Sequence, residues 1–198
     1  MRGKRVFIAI NLPEEIKDPL VLKQEEIEEN FRSFGENFHP IRWTKKENLH
    51  ITIEFLAYLN EEEIEKVKRI LSEISSKLFP FKIKLRELAY IPEREKIPRM
   101  IWVNGERNKI LSSIKESLDK KLEKEIGFKP ERREFHIHIT LGRIRKWEFK
   151  TIPLEERPSL GENLELEFTA ESLDLMESKL SPHGPKYFML EKFPFRVL

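Results

Sequence analysis

The chain has 198 residues, and its 37 Lys and Arg nearly balance its 35 Asp and Glu, which leaves a formal net charge of +2. This balance excludes a global basic field for nucleic acid, and the absence of cysteine excludes a disulfide scaffold, a cysteine nucleophile and thiolate metal sites. No apolar run approaches the roughly 20 residues of a membrane span. The many Lys, Glu and Arg without any Cys predict a cytoplasmic protein.

The first half of the chain predicts the order β, α, β, β, α. The apolar run 6–10 predicts a buried strand, and Pro13 opens a helix. Strands are predicted at 41–44 and 49–56, followed by an amphipathic helix at 61–78. The helix residues expected to face the core are Ile16, Leu20, Ile27 and Phe31, then Ile64, Val67, Ile70, Leu71, Ile74 and Leu78.

The second half repeats this alternation of strands and helices. Strands are predicted at 81–91, 100–103 and 135–144, with a helix at 108–126 between the second and the third. The apolar positions of that helix are Ile110, Leu111, Ile114, Leu118 and Leu122. A loop at 152–163 then leads to strands at 164–176 and 187–193. The predicted class is α+β, with two lobes built on antiparallel sheets.

One short pattern occurs in both halves. Residues 49–53 and 137–141 share the order apolar, His, apolar, Thr, apolar, 88 positions apart. Because a strand sends residues i and i+2 to the same face, each His shares a face with its Thr. The apolar positions between and after them, which are Ile51, Ile53, Ile139 and Leu141, are expected to point into the core.

This pair of motifs suits chemistry on a phosphate diester. One neutral imidazole can take a proton from an attacking hydroxyl or water, while a protonated imidazole gives one to the leaving oxygen. Threonine hydroxyls can donate hydrogen bonds to the non-bridging oxygens, where negative charge concentrates in the transition state. Such a mechanism requires neither a metal nor a covalent nucleophile.

The sequence around these motifs resembles a known family across almost the whole chain. The motif-bearing segments are Arg5 to Ile10, Ile41 to Trp43, Asn48 to Leu56, Ile101 to Val103, Phe135 to Arg143, Leu173 to Leu180 and Gly184 to Tyr187. In these segments the chain is similar to the RNA 2′,3′-cyclic phosphodiesterases, also called 2′-5′ RNA ligase-like proteins, of the two-histidine phosphoesterase superfamily.

The resemblance implies a single bilobal, pseudo-twofold domain over residues 1–198, with helices outside and two antiparallel sheets flanking a central cleft. Each lobe contributes one motif, at 50–53 and 138–141. The implied reaction is hydrolysis of RNA terminal 2′,3′-cyclic phosphate to 2′-phosphate. Some members also join tRNA halves through a 2′-5′ linkage, reversibly and without ATP. We also expect a monomer that needs no cofactor or metal and contacts no membrane.

Roles follow from the resemblance residue by residue. His50 corresponds to the general acid that protonates the departing O3′, and His138 to the base that activates water. Thr52 and Thr140 correspond to the residues that hold the phosphate, and Arg143 adds positive charge at the edge of that phosphate. The family usually has Pro directly before the second motif His, where this chain has Ile137. That difference predicts a more regular strand and leaves His136 on the face of His138. His136 could assist phosphate binding there, but a position at the rim or a role in supporting the site residues is expected.

Two alternatives remain open at this level. The chain could be a module that binds RNA ends without turnover. His136 and His138 could instead ligate a metal together with His50 or Glu54, although that interpretation leaves both threonines unexplained. A basic excess at 129–150 surrounds the second motif and favours an RNA partner; its cations are Lys129, Arg132, Arg133, Arg143, Arg145, Lys146 and Lys150.

Aromatic residues could also stack a base. Trp147, beside Arg145 and Lys146, is the aromatic residue most expected to meet a nucleotide. Trp43, Trp102 and Tyr187 lie in apolar strand contexts, where core packing is the expected role.

Overall fold

The computed structural model describes residues 3–93, 95–131, 134–160, 163–182 and 184–197, and within these ranges the chain forms nine strands and four α-helices. The strands are β1 (Lys4–Asn11), β2 (Ile41–Trp43), β3 (His50–Leu59), β4 (Phe81–Ile91), β5 (Met100–Gly105), β6 (His138–Ile144), β7 (Asn163–Ala170), β8 (Ser172–Ser181) and β9 (Gly184–Pro194). The helices are α1 (Glu14–Phe31), α2 (Glu61–Ser75), α3 (Lys109–Ile126) and α4 (Lys146–Lys150).

All pairings in the sheet are antiparallel, in the order β7-β4-β5-β6-β3-β1-β8-β9, with β2 on β6. Two sets of four strands therefore meet at the centre, where β3 and β6 are joined through the pair Ile51 and Ile139. The strand order is symmetric about that pair. The α+β class and the antiparallel pairing predicted from the sequence are confirmed.

The two sets of strands do not follow the two halves of the chain. The C-terminal hairpin β8-β9 returns to β1, so it joins the set that carries the first motif. The single strand predicted at 164–176 is wrong, because β7 ends at Ala170 and β8 begins at Ser172. The two strands pair with β4 and β1 respectively. No Gly or Pro marks the break, but at Glu171 and Ser172 the apolar positions change from even-numbered residues (164 to 170) to odd-numbered residues (173 and 175), which is a local signal of it.

The helices bury the stripes that their spacing predicted. The α2 helix starts with a capping box between Asn60 and Glu63 and ends at Ser75, so Leu78 lies beyond it and is only partly buried. In α3 the prediction for Ile110 is wrong, since its side chain is 42% exposed in the first turn, beside the groove between α2 and α3. The predicted core positions that are buried are Ile16, Leu20, Ile27, Phe31, Ile64, Val67, Ile70, Leu71, Ile74, Leu111, Ile114, Leu118 and Leu122.

None of the helices in the described part of the chain has the length and apolarity that crossing a membrane requires.

Candidate active site

The two motifs have the same register on their neighbouring strands. His50 lies opposite Asn11 of β1, and His138 lies opposite Asn104 of β5. The motif threonines follow two residues later in each strand, opposite Ala9 and Trp102. The apolar residues Ile51 and Ile139 lie between them and pair with each other at the centre of the sheet. The motifs thus start side by side from the central pair of strands.

Each motif ends in a β-bulge. In β3 the extra residue is Ile53, between the pairs of Thr52 and Glu54 with β1. In β6 it is Leu141, between the pairs of Thr140 and Gly142 with β5. Bulges bend a strand and change which way the following side chains point. Together with Ile51 and Ile139, both bulged residues are 2% exposed or less, so all four predicted core positions of the motifs are confirmed.

A close approach of β2 completes this edge of the site. A Cβ added to Gly142 would lie 2.5 Å from Ile41 Cγ2 and 2.9 Å from Trp43 Cε3. Only a glycine lets β2 pack this closely on β6. The indole of Trp43, whose Nε1 donates to Glu28 at 2.8 Å, thereby reaches the wall of the site.

Both motif imidazoles are held through the same ring nitrogen. His50 Nδ1 lies 2.7 Å from the carbonyl oxygen of Asn48, and His138 Nδ1 lies 2.9 Å from that of His136. A carbonyl can only accept, so Nδ1 carries the proton and Nε2 of the neutral ring is the free base. His50 Nε2 lies 2.9 Å from Thr52 Oγ1. Both rings therefore present Nε2 for proton transfer.

Aromatic rings fix the planes of the two imidazoles. The Trp102 indole stacks on His138 with centroids 3.7 Å apart and planes 18° apart. Tyr187 meets His50 edge-on at 5.2 Å and Phe7 lies 5.0 Å from the same ring. Core packing was the expected role for Trp102 and Tyr187, and the structure instead places both against motif histidines. The contacts join distant strands, so local sequence carried no signal for them.

Burial lowers the pKa of both motif histidines below the usual 6.5. Removal from water disfavours the charged imidazolium and is the largest effect on each ring. At His50, the hydrogen bond to the backbone carbonyl of Asn48 raises the pKa, while the neighbouring His138 lowers it further. At His138, the hydrogen bond to the backbone carbonyl of His136 raises the pKa, while the side chain of His136 lowers it further. The neutral forms are therefore favoured in the free protein.

Two cavities meet at the motifs. The inner pocket, of ≈ 150 Å³, contains all five predicted site residues, and its lining is Arg42, Trp43, Thr44, Lys45, Asn48, His50, Thr52, Phe55, His138, Thr140, Arg143, Gly184, Pro185 and Tyr187. The outer pocket, of ≈ 730 Å³, shares Thr52, Phe55, His138, Thr140 and Arg143 with it. The shared residues form the passage between the two cavities.

Loop contacts hold the inner pocket together. The buried side-chain amide of Asn48 donates to the backbone carbonyl oxygen of Pro185 at 3.0 Å. The backbone carbonyl oxygen of Asn48 accepts from His50 Nδ1. This ties the start of β9 to the first motif. Sequence reasoning assigned Asn48 no role of its own, because its partner lies 137 residues away.

Other candidate residues lie outside the inner pocket. His136 lies on the wall of the outer pocket with His138. The regular strand predicted through 135–137 is wrong, because β6 begins at His138. Trp147 is 75% exposed, next to Lys150, and lines neither pocket. Within the basic segment, Arg132 and Arg133 lie outside the described residues.

The metal-site alternative finds no support in the geometry. The Glu54 carboxylate lies beyond the β3 bulge, where its Oε2 is 2.5 Å from Lys115 Nζ. Over the residues that the structure describes, no three histidine or carboxylate side chains are grouped closely enough to hold a metal ion.

Comparisons with known proteins agree on one family. The model of the LigT-like phosphoesterases matches residues 10–102 and 105–187. A Methanocaldococcus jannaschii protein named RNA 2′,3′-cyclic phosphodiesterase is 35% identical over 190 residues, which cover 96% of this chain and 99% of that protein. A Bacillus subtilis protein of the same name is 31% identical and covers 94% of both chains. A crystal structure of a Thermus thermophilus protein superposes with a TM-score of 0.79 at 29% identity, covering 99% of this chain and 98% of that one.

Proposed function

The chain belongs to the LigT-like phosphoesterase family, and we propose that it hydrolyses the 2′,3′-cyclic phosphate at the end of an RNA to a 2′-phosphate. The relatives named RNA 2′,3′-cyclic phosphodiesterase support this reaction. The observation that carries it is the matched anchoring of two imidazoles, each held at Nδ1 with Nε2 available, on the wall of one pocket. The substrate is an RNA end, and tRNA halves are one source of such ends.

The proposed reaction needs one acid and one base. His138 Nε2 takes a proton from water, whose oxygen attacks phosphorus. The bond from phosphorus to O3′ breaks, and His50 Nε2 gives a proton to that oxygen. One imidazole starts neutral and the other protonated, and the two exchange states during the reaction. The product carries the phosphate on O2′.

The other pocket residues serve the phosphate in this proposal. Thr52 and Thr140 flank the two imidazoles and donate hydrogen bonds to non-bridging oxygens as their charge rises. Arg143 lies in the passage between the cavities, where its guanidinium fork suits phosphate oxygens. Arg42 and Lys45 add positive charge to the same wall. Binding of an anion raises the pKa of His50 and favours its protonated, acidic form.

The same site supports the reverse reaction with a second RNA. A 5′-hydroxyl in place of water gives a 2′-5′ linkage, and we propose this ATP-independent ligation as a second activity of the site. The cytoplasmic location and the monomeric state stay predictions from the sequence.

The proposed function predicts turnover without a metal. We expect an oligoribonucleotide ending in a 2′,3′-cyclic phosphate to be opened to the 2′-phosphate at the same rate with and without excess chelator. The product is identified by its resistance to a phosphatase specific for 3′-phosphates. A 3′-phosphate product would contradict the assignment of the leaving oxygen. Tight, salt-dependent binding with no product would favour the RNA-end binding module instead.

The pH dependence of kcat/KM should follow from the two lowered pKa values. Activity falls on the acidic side when His138 becomes protonated and falls on the basic side when His50 loses its proton. Because burial lowers the pKa of both rings, we expect a bell-shaped profile with both limbs below pH 6.5. Initial rates at low substrate from about pH 4 to 9 measure it. Two limbs above pH 6.5 would contradict the protonation states assigned here.

A further inference from the structure

The side of the inner pocket that β2 and β6 form carries a surplus of positive charge. Arg42 on β2 lies directly opposite Arg143 on β6, and Lys45 follows two residues after the end of β2. All three side chains line the inner pocket, and none of the residues that line it is Asp or Glu. The wall of the outer pocket, in contrast, includes three glutamates. The positive charge is therefore specific to the inner pocket.

These cations are not held by the protein's own carboxylates. In the part of the chain that the structure describes, neither Arg42, Lys45 nor Arg143 forms an ion pair. The next residue along the chain, Lys46, binds two carboxylates of α1. Like charges that lie directly opposite each other on two strands destabilise a sheet. The pair of arginines therefore opposes folding to a small extent, and an anion bound between the strands would remove that cost.

The reacting phosphate does not account for all of this charge. A 2′,3′-cyclic phosphate is a diester and carries a single negative charge. In the proposed reaction it already faces the protonated imidazole of His50 and the guanidinium of Arg143, together with the two threonine hydroxyls. Arg42 and Lys45 therefore remain available for a second anionic group of the substrate.

The second anionic group of an RNA end is the phosphate on O5′ of its terminal nucleotide. It is separated from the reacting phosphate by one ribose. The guanidinium fork of an arginine matches phosphate oxygens, and a lysine adds a point charge beside them. Arg42 and Lys45 lie three positions apart on a segment that pairing with β6 fixes beside the second motif. The two side chains can thus bind one phosphate from the same segment.

We propose that Arg42 and Lys45 bind the phosphate on O5′ of the terminal nucleotide, an inference that rests on the proposed function. The site then recognises a ribose that carries phosphate on both sides, as the last nucleotide of an RNA strand does. A nucleoside 2′,3′-cyclic phosphate without a group on O5′ lacks half of this recognition. Arg42 and Lys45 are specificity residues in this proposal, since neither takes part in proton transfer.

Two dinucleotides that differ by one charge test the proposal. Both end in a 2′,3′-cyclic phosphate, and the linkage between their nucleosides is a phosphodiester in one and an uncharged methylphosphonate in the other. We expect kcat/KM to be about tenfold higher for the charged dinucleotide, the effect of roughly one charge-assisted hydrogen bond. The difference should lie in KM, because this phosphate is bound equally in the ground state and the transition state, and it should shrink as salt is added.

Two substitutions locate the preference. Arg42→Gln and Lys45→Gln each keep a polar side chain and remove the charge. Each should lower the ratio of the two kcat/KM values about threefold, and the double variant should bring it close to one. The ratio cancels any effect on the reacting phosphate, since both dinucleotides carry that group. Arg69→Gln is the matched control, because Arg69 is exposed on α2 and outside the inner pocket, and it should leave the ratio unchanged.

The stability of Arg42→Gln provides an independent measurement. The substitution removes one member of the like-charge pair with Arg143, so at low salt its urea midpoint should be at least as high as that of the unaltered protein. A lowered ratio in a variant of that stability reports lost binding and not misfolding.

The outcomes separate the second phosphate site from the proposed function. Three results would overturn the site while leaving the phosphodiesterase intact. They are equal kcat/KM values for the two dinucleotides, a ratio that the double variant leaves unchanged, and a ratio that Arg69→Gln lowers as much as Arg42→Gln does. If the unaltered protein hydrolysed neither dinucleotide, the proposed function would be wrong, and the second phosphate site with it.

Discussion

Replacing either motif histidine with alanine is expected to lower kcat for a 2′,3′-cyclic phosphate by about 10²–10⁴-fold, the usual worth of one positioned acid or base. His50→Ala removes the proton donor for O3′, so the alkoxide must leave unprotonated. His138→Ala removes the group that deprotonates water. Each substitution should also remove one limb of the pH profile, the basic limb for His50→Ala and the acidic limb for His138→Ala. Steady-state rates across pH measure both effects.

A matched histidine elsewhere provides the control. His39 is exposed, and its Nδ1 lies 2.5 Å from Glu28 Oε1 on the surface of α1. His39→Ala should therefore leave kcat and the pH profile unchanged. If His50→Ala and His138→Ala each kept full activity, the two-histidine mechanism would be wrong. A lost rate with both limbs of the profile intact would indicate a structural role for the ring instead.

Replacing Lys115 with methionine is expected to destabilise the fold by about 3–5 kcal/mol, the cost of leaving a buried charge without its partner. Lys115 Nζ lies 2.5 Å from Glu54 Oε2 and 2.6 Å from Asp119 Oδ1. The Glu54 side chain is 7% exposed, and burial raises its pKa, while the hydrogen bond from Lys115 acts against that rise. Without the lysine the carboxylate must stay charged and unpaired or take up a proton. Urea unfolding measures the loss.

The pH dependence of this loss has a definite sign. Removing Lys115 raises the pKa of Glu54 in the folded state further above its value of about 4.3 in an unfolded chain. The folded protein then binds more protons than the unfolded one, so stability falls as pH rises through that window. The penalty should be smaller at pH 5 than at pH 8.

A double variant separates the charge from the packing. Glu54→Gln removes the negative charge, so Glu54→Gln with Lys115→Met should recover most of the stability lost in Lys115→Met alone. The coupling energy from the double-mutant cycle measures the interaction free energy between Glu54 and Lys115. An additive double variant, or a Lys115→Met penalty that does not change with pH, would show that the ion pair contributes little.

Much of the site could be predicted because its determinants are local. Alternation along one strand places His50 with Thr52 and His138 with Thr140, whatever the rest of the chain does. The helical stripes followed from their spacing in the same way. The break at Glu171 has a local signal, because the apolar positions change there from even-numbered to odd-numbered residues. Which partner strands the two segments take depends on the tertiary structure.

The surroundings of the motifs depend on contacts between distant strands. Trp102 reaches His138 through the β5-β6 register, and Tyr187 reaches His50 because the C-terminal hairpin returns to β1. Single residues signal neither contact, since an aromatic residue in an apolar strand has the same local pattern in a core as in a cleft. The outer pocket likewise exists only where β3, α3 and the chain before β6 meet.

The order of residues was enough to identify the groups that could do chemistry. With no cysteine and two His-x-Thr strands, proton transfer by imidazole is the reaction that these residues support. Three properties depend on the folded chain. They are the hydrogen bonds that hold the imidazoles, the burial that lowers their pKa values, and the second, larger cavity beside His138. The difference lies in how far apart along the chain the interacting residues are. A period of two along a strand is a property of neighbouring residues, whereas burial and cavities arise from packing between segments that lie far apart along the chain.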